Sequence, residues 1–351
     1  MSFLSFSQEI SKIDSIVKSE MKSENIPAIG LGIIKNGELK YLRAYGYSDI
    51  ENKTIATINT PFQVASISKT IINLCIFKLV QQNKIDLNAN INNYLNFSIE
   101  NPFLPNKKIT IKELLNHQSG LIDNYAILDI DNIDTNGDSD IKLSEYMKSY
   151  FSNKGALYNK NNFQNSKQYR YSNVGYALLG LIIENVSAKT LEKFSQKNIF
   201  KPLGMKNTNW FLKNLNTKLV SKTYTKGKNG NLKFLGFNGY PIYPSGQLRT
   251  SIKDYTTLIL KYLNSSNDNF ILNSKMTTKI TPEPSFSRKG WFTWNKVAIG
   301  NTLYYAHEGA DTGVKTLVIM DVVNNNSIII FINSETKLGK ILMSLIDEVM
   351  E

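Results

Sequence analysis

Ser66-Ile67-Ser68-Lys69-Thr70-Ile71-Ile72-Asn73-Leu74-Cys75-Ile76-Phe77-Lys78-Leu79-Val80-Gln81-Gln82 is the stretch on which the reading of this chain turns. Its apolar residues fall nearly all round a helical projection, so residues 66–82 are expected to form a central, buried helix. Ser66 and Lys69 stand three apart at its start and share one face, so hydroxyl and ammonium can meet. A serine there is backed by unpaired backbone N–H groups and the positive end of the helix dipole, which favour a developing oxyanion. A lysine packed in the first turn of an apolar helix is desolvated, and its pKa falls towards that of a usable base. The plain structural alternative is a serine N-cap with a lysine turned to solvent. The pair alone does not decide between them.

Two further groups lie downstream. Tyr169-Arg170-Tyr171-Ser172-Asn173 precedes a helical pattern over 174–185. A tyrosine beside a lysine is expected to ionise more easily and to relay a proton, and an asparagine offers a donor and an acceptor to an amide substrate. Capping by Ser172 or Asn173 accounts for those two residues but not for Tyr171. His307-Glu308-Gly309-Ala310 follows the apolar run 303–306 and reads as the edge of a strand, where Gly309 would let a substrate backbone approach. The alternative is an edge-strand histidine bonded to a neighbour.

Around these groups the ends of the chain read as sheet and the middle as helix. Residues 8–23 have amphipathic spacing. Strands over 29–34 and 39–47 flank Asn36-Gly37, the strongest short hairpin signal. Helices are expected near 110–116, 142–151, 174–185 and 190–198, then strands over 314–320 and 327–332 and a last helix from Leu338 to Val349. The expected fold class is α/β (α+β): an antiparallel sheet flanked by helices, plus a helical lobe. Residues 1–64 and 246–351 would build the α/β lobe and 65–245 the mainly helical lobe of one domain. The site is expected in the cleft between them.

Bulk properties narrow the function. The 351 residues are 42% hydrophobic and 20% charged, as in an ordinary globular protein. No apolar run is long enough to span a bilayer. The net charge is +12, but the 41 lysines and arginines are scattered without a basic run or an aromatic–basic stripe, so nucleic acid is not an expected partner. Cys75 is the single cysteine and falls in an apolar run, which excludes an intrachain disulfide and suggests an inert thiol. Only His117 and His307 are histidines, which argues against a His-rich zinc site. The segment Asp134-Thr-Asn136-Gly-Asp138-Ser-Asp140-Ile-Lys-Leu-Ser-Glu145 approaches a calcium loop but lacks its central glycine, and reads better as an acidic loop entering a helix. Gly-x-Ser-x-Gly, phosphate-binding glycine loops and His-Glu-x-x-His do not occur. No cofactor or metal is expected. Met1-Ser-Phe-Leu-Ser-Phe-Ser-Gln8 reads either as the stub of a signal peptide whose front half has been trimmed, which would imply a periplasmic or secreted protein, or as the frayed start of the first helix, which would leave a cytoplasmic one. Oligomeric state is not readable.

Taken in order, these blocks resemble the serine β-lactamase and penicillin-recognising superfamily, in particular class C β-lactamases, DD-carboxypeptidases and related esterases and D-aminopeptidases. The resemblance rests on Phe62-Gln-Val-Ala-Ser66-Ile-Ser-Lys69, Ile109-Thr-Ile-Lys-Glu-Leu-Leu-Asn-His117-Gln-Ser-Gly-Leu121, Tyr171-Ser-Asn-Val-Gly-Tyr176, Ile199-Phe-Lys-Pro-Leu-Gly-Met205, Tyr243-Pro-Ser-Gly-Gln-Leu-Arg-Thr250 and His307-Glu308-Gly309. It implies a β-lactamase/transpeptidase-like fold and a serine hydrolase that forms an acyl-enzyme on an amide or ester. Ser66 would be the nucleophile, and Lys69 and Tyr171 its proton-handling partners. Asn173 would hold the substrate amide, the backbone N–H groups of Ser66 and Ala310 would form an oxyanion hole, and His117 would be structural. His307-Glu308-Gly309 stands where the family often has Lys-Thr-Gly, so a fixed cation is missing and Glu308 would disfavour a substrate carboxylate if it faced the cleft. A D-peptidase, carboxypeptidase or esterase of a small-molecule or peptide substrate is therefore preferred to a true β-lactamase, and both to a non-catalytic binding protein. Trp291 and Trp294 are equally placed to line the cleft or to pack.

Overall fold

The computed structural model describes residues 3–128, 137–265, 271–280 and 294–349. The chain opens with helix α1 (Phe3–Glu24) and the strands β1 (Ala28–Lys35) and β2 (Glu38–Asp49). Asn36 and Gly37 turn this hairpin at φ of 55° and 71°, the two left-handed residues that the sequence calls for. There follow β3 (Thr54–Ile55), β4 (Pro61–Gln63), a 3₁₀ turn (Ala65–Ile67), α2 (Ser68–Gln81), α3 (Ile111–Leu115), α4 (Leu143–Phe151), α5 (Asn173–Ser187) and α6 (Leu191–Ser195). The chain then runs through β5 (Tyr224–Lys226), β6 (Leu232–Phe234), β7 (Arg249–Ser251), α7 (Ile252–Leu263) and α8 (Ser274–Ile280). It closes with β8 (Asn295–Ile299), β9 (Thr302–Asp311), β10 (Val314–Asp321), β11 (Asn326–Ile332) and α9 (Gly339–Val349).

A seven-stranded antiparallel sheet runs in the order β3-β2-β1-β11-β10-β9-β8, so the two ends of the chain meet at its centre, with Ile29 opposite Ile332. Strand alternation sorts its side chains into two layers. Ile29, Leu31 and Ile33 with Ile328, Ile330 and Ile332 pack under Ile13 and Val17 of α1 and Ile341 and Leu345 of α9. Ile329, Phe331, Val318 and Met320 face the other way and join the core built by α2, α5 and α7. On that second face β1 carries Gly30 and Gly32, and a Cβ at Gly32 would stand 2.2 Å from Thr256 Oγ1 of α7. The helix thus lies directly on the strand. α7 is an addition to what the sequence reading anticipated, although Ile252, Tyr255, Leu258, Ile259 and Tyr262 have helical spacing behind a Ser251 cap that accepts from Asp254 N at 3.1 Å.

Two expectations are corrected here. The helix expected over 66–82 begins at Ser68, and Ser66 lies in the separate 3₁₀ turn ahead of it. His307–Ala310 is not on an edge strand in the simple sense. β9 lies between β10 and β8, but β8 pairs only with Thr302–Ala306. Among the described residues no strand pairs with Glu308–Asp311 on that side, so an open strip of sheet remains there. Cys75 is buried, and burial pushes its thiol pKa up, as expected of an inert core cysteine. No single helix among the described residues is long and apolar enough to cross a membrane.

Candidate active site

Ser66 is presented by a backbone kink. Ala65 adopts φ 45°, a left-handed conformation that costs a non-glycine residue energy and persists only where the surroundings impose it. Here they do. Val64 N donates to Leu248 O at 2.9 Å, and Thr316 Oγ1 of β10 donates to Val64 O at 2.9 Å. Ser68 Oγ accepts from Leu248 N at 3.1 Å. Gly309 seals the contact, since a Cβ there would lie 2.4 Å from Val64 O and 2.2 Å from Thr316 Oγ1. This corrects the role expected for Gly309: its bare face is turned to the Ser66 turn, not to a substrate.

Lys69 is fully buried in the first turn of α2. Its three ammonium hydrogens are directed at Ser66 Oγ (3.0 Å), Asn173 Oδ1 (2.7 Å) and Ser245 O (2.6 Å). Burial lowers its pKa to about 7, against a partial restoring pull from Asp123 and Asp311. Once neutral, the amine has two hydrogens for Asn173 and Ser245 and a lone pair for Ser66. Asn173 is held in register by Asp123, whose carboxylate accepts from Asn173 N (2.9 Å), Asn173 Nδ2 (2.9 Å) and Val174 N (3.0 Å) at the start of α5. The Nδ2 bond to Asp123 turns the amide oxygen to Lys69. Asp123 and Ser245 escaped the sequence reading, although both fall in or beside blocks it quoted.

Tyr171 brings its hydroxyl within hydrogen-bonding reach of Ser66, and its ring lies 4.9 Å from Lys69 Nζ. The ring stacks on His117 at 4.4 Å between centroids. His117 accepts from Ser172 N at 3.1 Å through Nδ1, and burial beside Lys69 holds it neutral. The expectation that Tyr171 ionises easily is corrected. Burial raises its pKa and nearby carboxylates add to this, against the lowering pull of Ser66, so the phenol keeps its proton at neutral pH. The basic member of the trio is the lysine.

Along β9, residues 305, 307, 309 and 311 face the helical lobe and 304, 306, 308 and 310 the α1–α9 layer. His307 is therefore buried, with Nδ1 2.8 Å from Glu308 O and its ring 6.3 Å from that of Trp294. Burial and Lys69 drop its pKa to about 3, so it is neutral and brings no cation to the site. Glu308 projects to the opposite face and pairs with Lys315 at 2.7 Å, so the negative charge expected beside the cleft is turned away from it. Ser66, Asn173, Ser245, Gly246, Tyr240, Ala310 and Asp311 line one cleft between the sheet and the helical lobe. Trp294 is buried, and Trp291 lies outside the described residues. In the candidate calcium segment, Asp134 and Asn136 lie outside the described residues. Asp138 is spent on Leu212 N (2.8 Å), Lys213 N (3.0 Å) and Gln247 Nε2 (3.2 Å), and Glu145 pairs with Lys142 at 3.1 Å. Among the described residues no cluster of His, Cys, Asp and Glu is grouped to hold a metal ion.

The family model described as Beta-lactamase matches residues 13–345. Protein flp of Staphylococcus aureus (strain MRSA252) is 26% identical over 328 residues, covering 92% of this chain and 62% of its own length, so the chain spans about three fifths of that relative. The octameric penicillin-binding protein homologue from Pyrococcus abyssi superposes with a TM-score of 0.80 at 22% identity, over 96% of this chain and 77% of its own. The D-amino acid amidase from Ochrobactrum anthropi SV3, complexed with D-phenylalanine, gives 0.75 at 19% identity, over 97% and 98%.

Proposed function

Since the chain belongs to the Beta-lactamase family, we propose that it is a serine hydrolase that cleaves an amide or ester through an acyl-enzyme on Ser66. The observation that carries this reading is the placement of Lys69 Nζ 3.0 Å from Ser66 Oγ, with its other two hydrogens held by Asn173 Oδ1 and Ser245 O. Neutral Lys69 takes the hydroxyl proton as Oγ bonds to the carbonyl carbon, and the π pair moves to the carbonyl oxygen. That oxygen is received beside the backbone of Ser66 and Ala310, both on the cleft wall. When the C=O re-forms, the bond to the leaving amine or alcohol breaks. The leaving group takes a proton from Tyr171, which is re-protonated by the lysine ammonium. Water then enters by the reverse relay, releasing acid and freeing Ser66. Donors preset for the oxyanion contribute about 10²–10³ in rate, and a positioned proton relay about 10²–10⁴.

A D-peptidase or esterase activity is the finer reading, favoured over β-lactam hydrolysis and over a carboxypeptidase, both of whose substrates carry a carboxylate, because His307 is neutral where a cation would receive that group. Intact-mass measurement after exposure to a fluorophosphonate, a penicillin and an activated ester tests both levels. A single adduct on the wild type that Ser66→Ala lacks is the expected result. Decay of the ester adduct with persistence of the penicillin adduct supports the esterase or peptidase reading, and rapid decay of the penicillin adduct overturns it in favour of a β-lactamase. Unmodified protein with every probe overturns the hydrolase and leaves a ligand-binding protein.

A further inference from the structure

Asp311 ends β9 one residue beyond Ala310, on the face turned to the helical lobe. Its Oδ1 accepts from Thr312 N at 2.7 Å, while Oδ2 is contacted by the Tyr240 hydroxyl and by Gln63 Nε2 at 3.4 Å. Among the described residues lining the cleft with Ser66, Asp311 is the only one with a formally charged side chain, and its neighbours there include Leu128, Pro241 and Ile242. Lys69, the cation whose charge acts on Asp311 among the described residues, has its hydrogens committed to Ser66, Asn173 and Ser245.

We infer that Asp311 selects the acyl donor: it receives a free ammonium group carried next to the scissile carbonyl, so that aminoacyl esters, aminoacyl amides or peptides read from their amino end are preferred to N-acylated or carboxylate-bearing substrates. The inference rests on the acyl-transfer reading of Ser66. Consecutive Cα atoms are about 3.8 Å apart, so a carboxylate one residue past Ala310 is within reach of a nitrogen two bonds from a carbonyl carbon held at Ala310. The contacts of Asp311 are neutral donors, Thr312 N, Tyr240 and Gln63, and no cation is among the described residues lining the cleft, so a substrate ammonium would supply the charge partner. Consistent with that lack, burial together with the distant Glu335 lifts the Asp311 pKa to about 7, although Thr312 N and Lys69 pull the other way. A substrate carboxylate in the same cleft would meet repulsion, and no arginine or lysine among the described lining residues would receive it.

The test compares alanine benzyl ester with N-acetylalanine benzyl ester, in both enantiomers, by kcat/KM on the full chain. Wild type is expected to favour the free amine by about 10- to 100-fold, the range of a buried charged hydrogen bond. Asp311→Asn keeps the shape and the Tyr240 contact, and its preference is expected to collapse towards unity. Glu308→Gln, on the same strand but facing away, is expected to retain the preference. Equal rates on the two esters in the wild type, or a preference that survives in Asp311→Asn, would make Asp311 only a latch for Tyr240 and Gln63 and overturn the inference. Ser66 acylated equally by both esters leaves the hydrolase standing without it, whereas no turnover or adduct with either ester removes the hydrolase and this inference together. Thermal melting of each variant separates loss of selection from loss of fold.

Discussion

Replacing Lys69 by methionine, nearly isosteric and without charge, separates the lysine's electrostatic cost from its packing. Lys69 is fully buried, and its pKa drops from 10.5 to about 7 because burial penalises the ammonium. The unfolded chain therefore holds a proton there that the folded chain releases between those two values. The penalty on the fold is present in full below pH 7 and disappears as pH rises to 10.5. At about 1.4 kcal/mol for each pH unit, the whole penalty is about 5 kcal/mol, and about 3 kcal/mol of it is relieved between pH 7 and pH 9.5. Urea unfolding of wild type and Lys69→Met at those two pH values measures this. The stability of wild type relative to the variant should rise by about 3 kcal/mol towards pH 9.5, whatever the variant's offset from leaving Asn173 Oδ1 and Ser245 O without their donor. A difference that stays flat, or that falls with pH, would mean that the lysine keeps its ordinary pKa. It would then be protonated at neutral pH, and the reasoning that makes it the base of Ser66 would be refuted.

In wild type the rate of Ser66 acylation by a fluorophosphonate should climb as pH rises through about 7, following the neutral form of Lys69; a profile level from pH 5 to 9 would argue for another base. Tyr171→Phe keeps the ring stacked on His117 while removing the hydroxyl beside Ser66, so turnover should fall by about 10²–10⁴ with little change in Tm, as steady-state kinetics beside calorimetry will read. Gly309→Ala drives a methyl group into Val64 O and Thr316 Oγ1 at 2.4 and 2.2 Å, so the Ser66 turn must move. Adduct formation should slow at least tenfold, with a loss of about 1–3 kcal/mol in unfolding free energy. Gly32→Ala should cost a similar 1–3 kcal/mol, because it collides with Thr256 of α7. The rate per folded molecule should stay as it was, because neither Gly32 nor Thr256 lines the cleft.

The sequence was most informative where one residue type meets one physical demand. Asn36-Gly37 marks the hairpin because both positions need positive φ, and the apolar run Ser327–Ile332 marks a strand, which the fold buries on both faces. Ser66, Lys69, Tyr171 and Asn173 were visible because they sit in blocks whose order is itself specific, and the fold brings all four together. What escaped needed the third dimension. Asp123 is an ordinary acidic residue until α5 places its backbone N–H groups and Asn173 around it, fifty positions along the chain. The true neighbours of Gly309 are Val64 and Thr316, and strand alternation alone would not have turned it from substrate to scaffold. Glu308 follows the same lesson: its face was fixed by the register of β9 with β10, where it stands opposite Leu317, and not by its adjacency to His307. The ionisation expected of Tyr171 was wrong in sign because burial, with Asp123 adding to it, outweighs the hydrogen bond with Ser66.

The meeting of β1 and β11 at the centre of the sheet has a kinetic consequence. Ile29 and Ile332 are neighbours in space but about 300 residues apart in synthesis, so at about 5–20 residues per second the first hairpin waits some 15–60 s for its partner strand. During that interval β1 offers an apolar, unpaired edge, and closure of so long a loop precedes any reward from the central pairing. Folding of α1 over Ile29 and Leu31 can cover the apolar face in that interval, but the hydrogen-bonding edge of β1 stays open until β11 arrives, unless a chaperone holds it. Folding yield should accordingly respond to translation rate and chaperone supply more steeply than equilibrium stability would suggest.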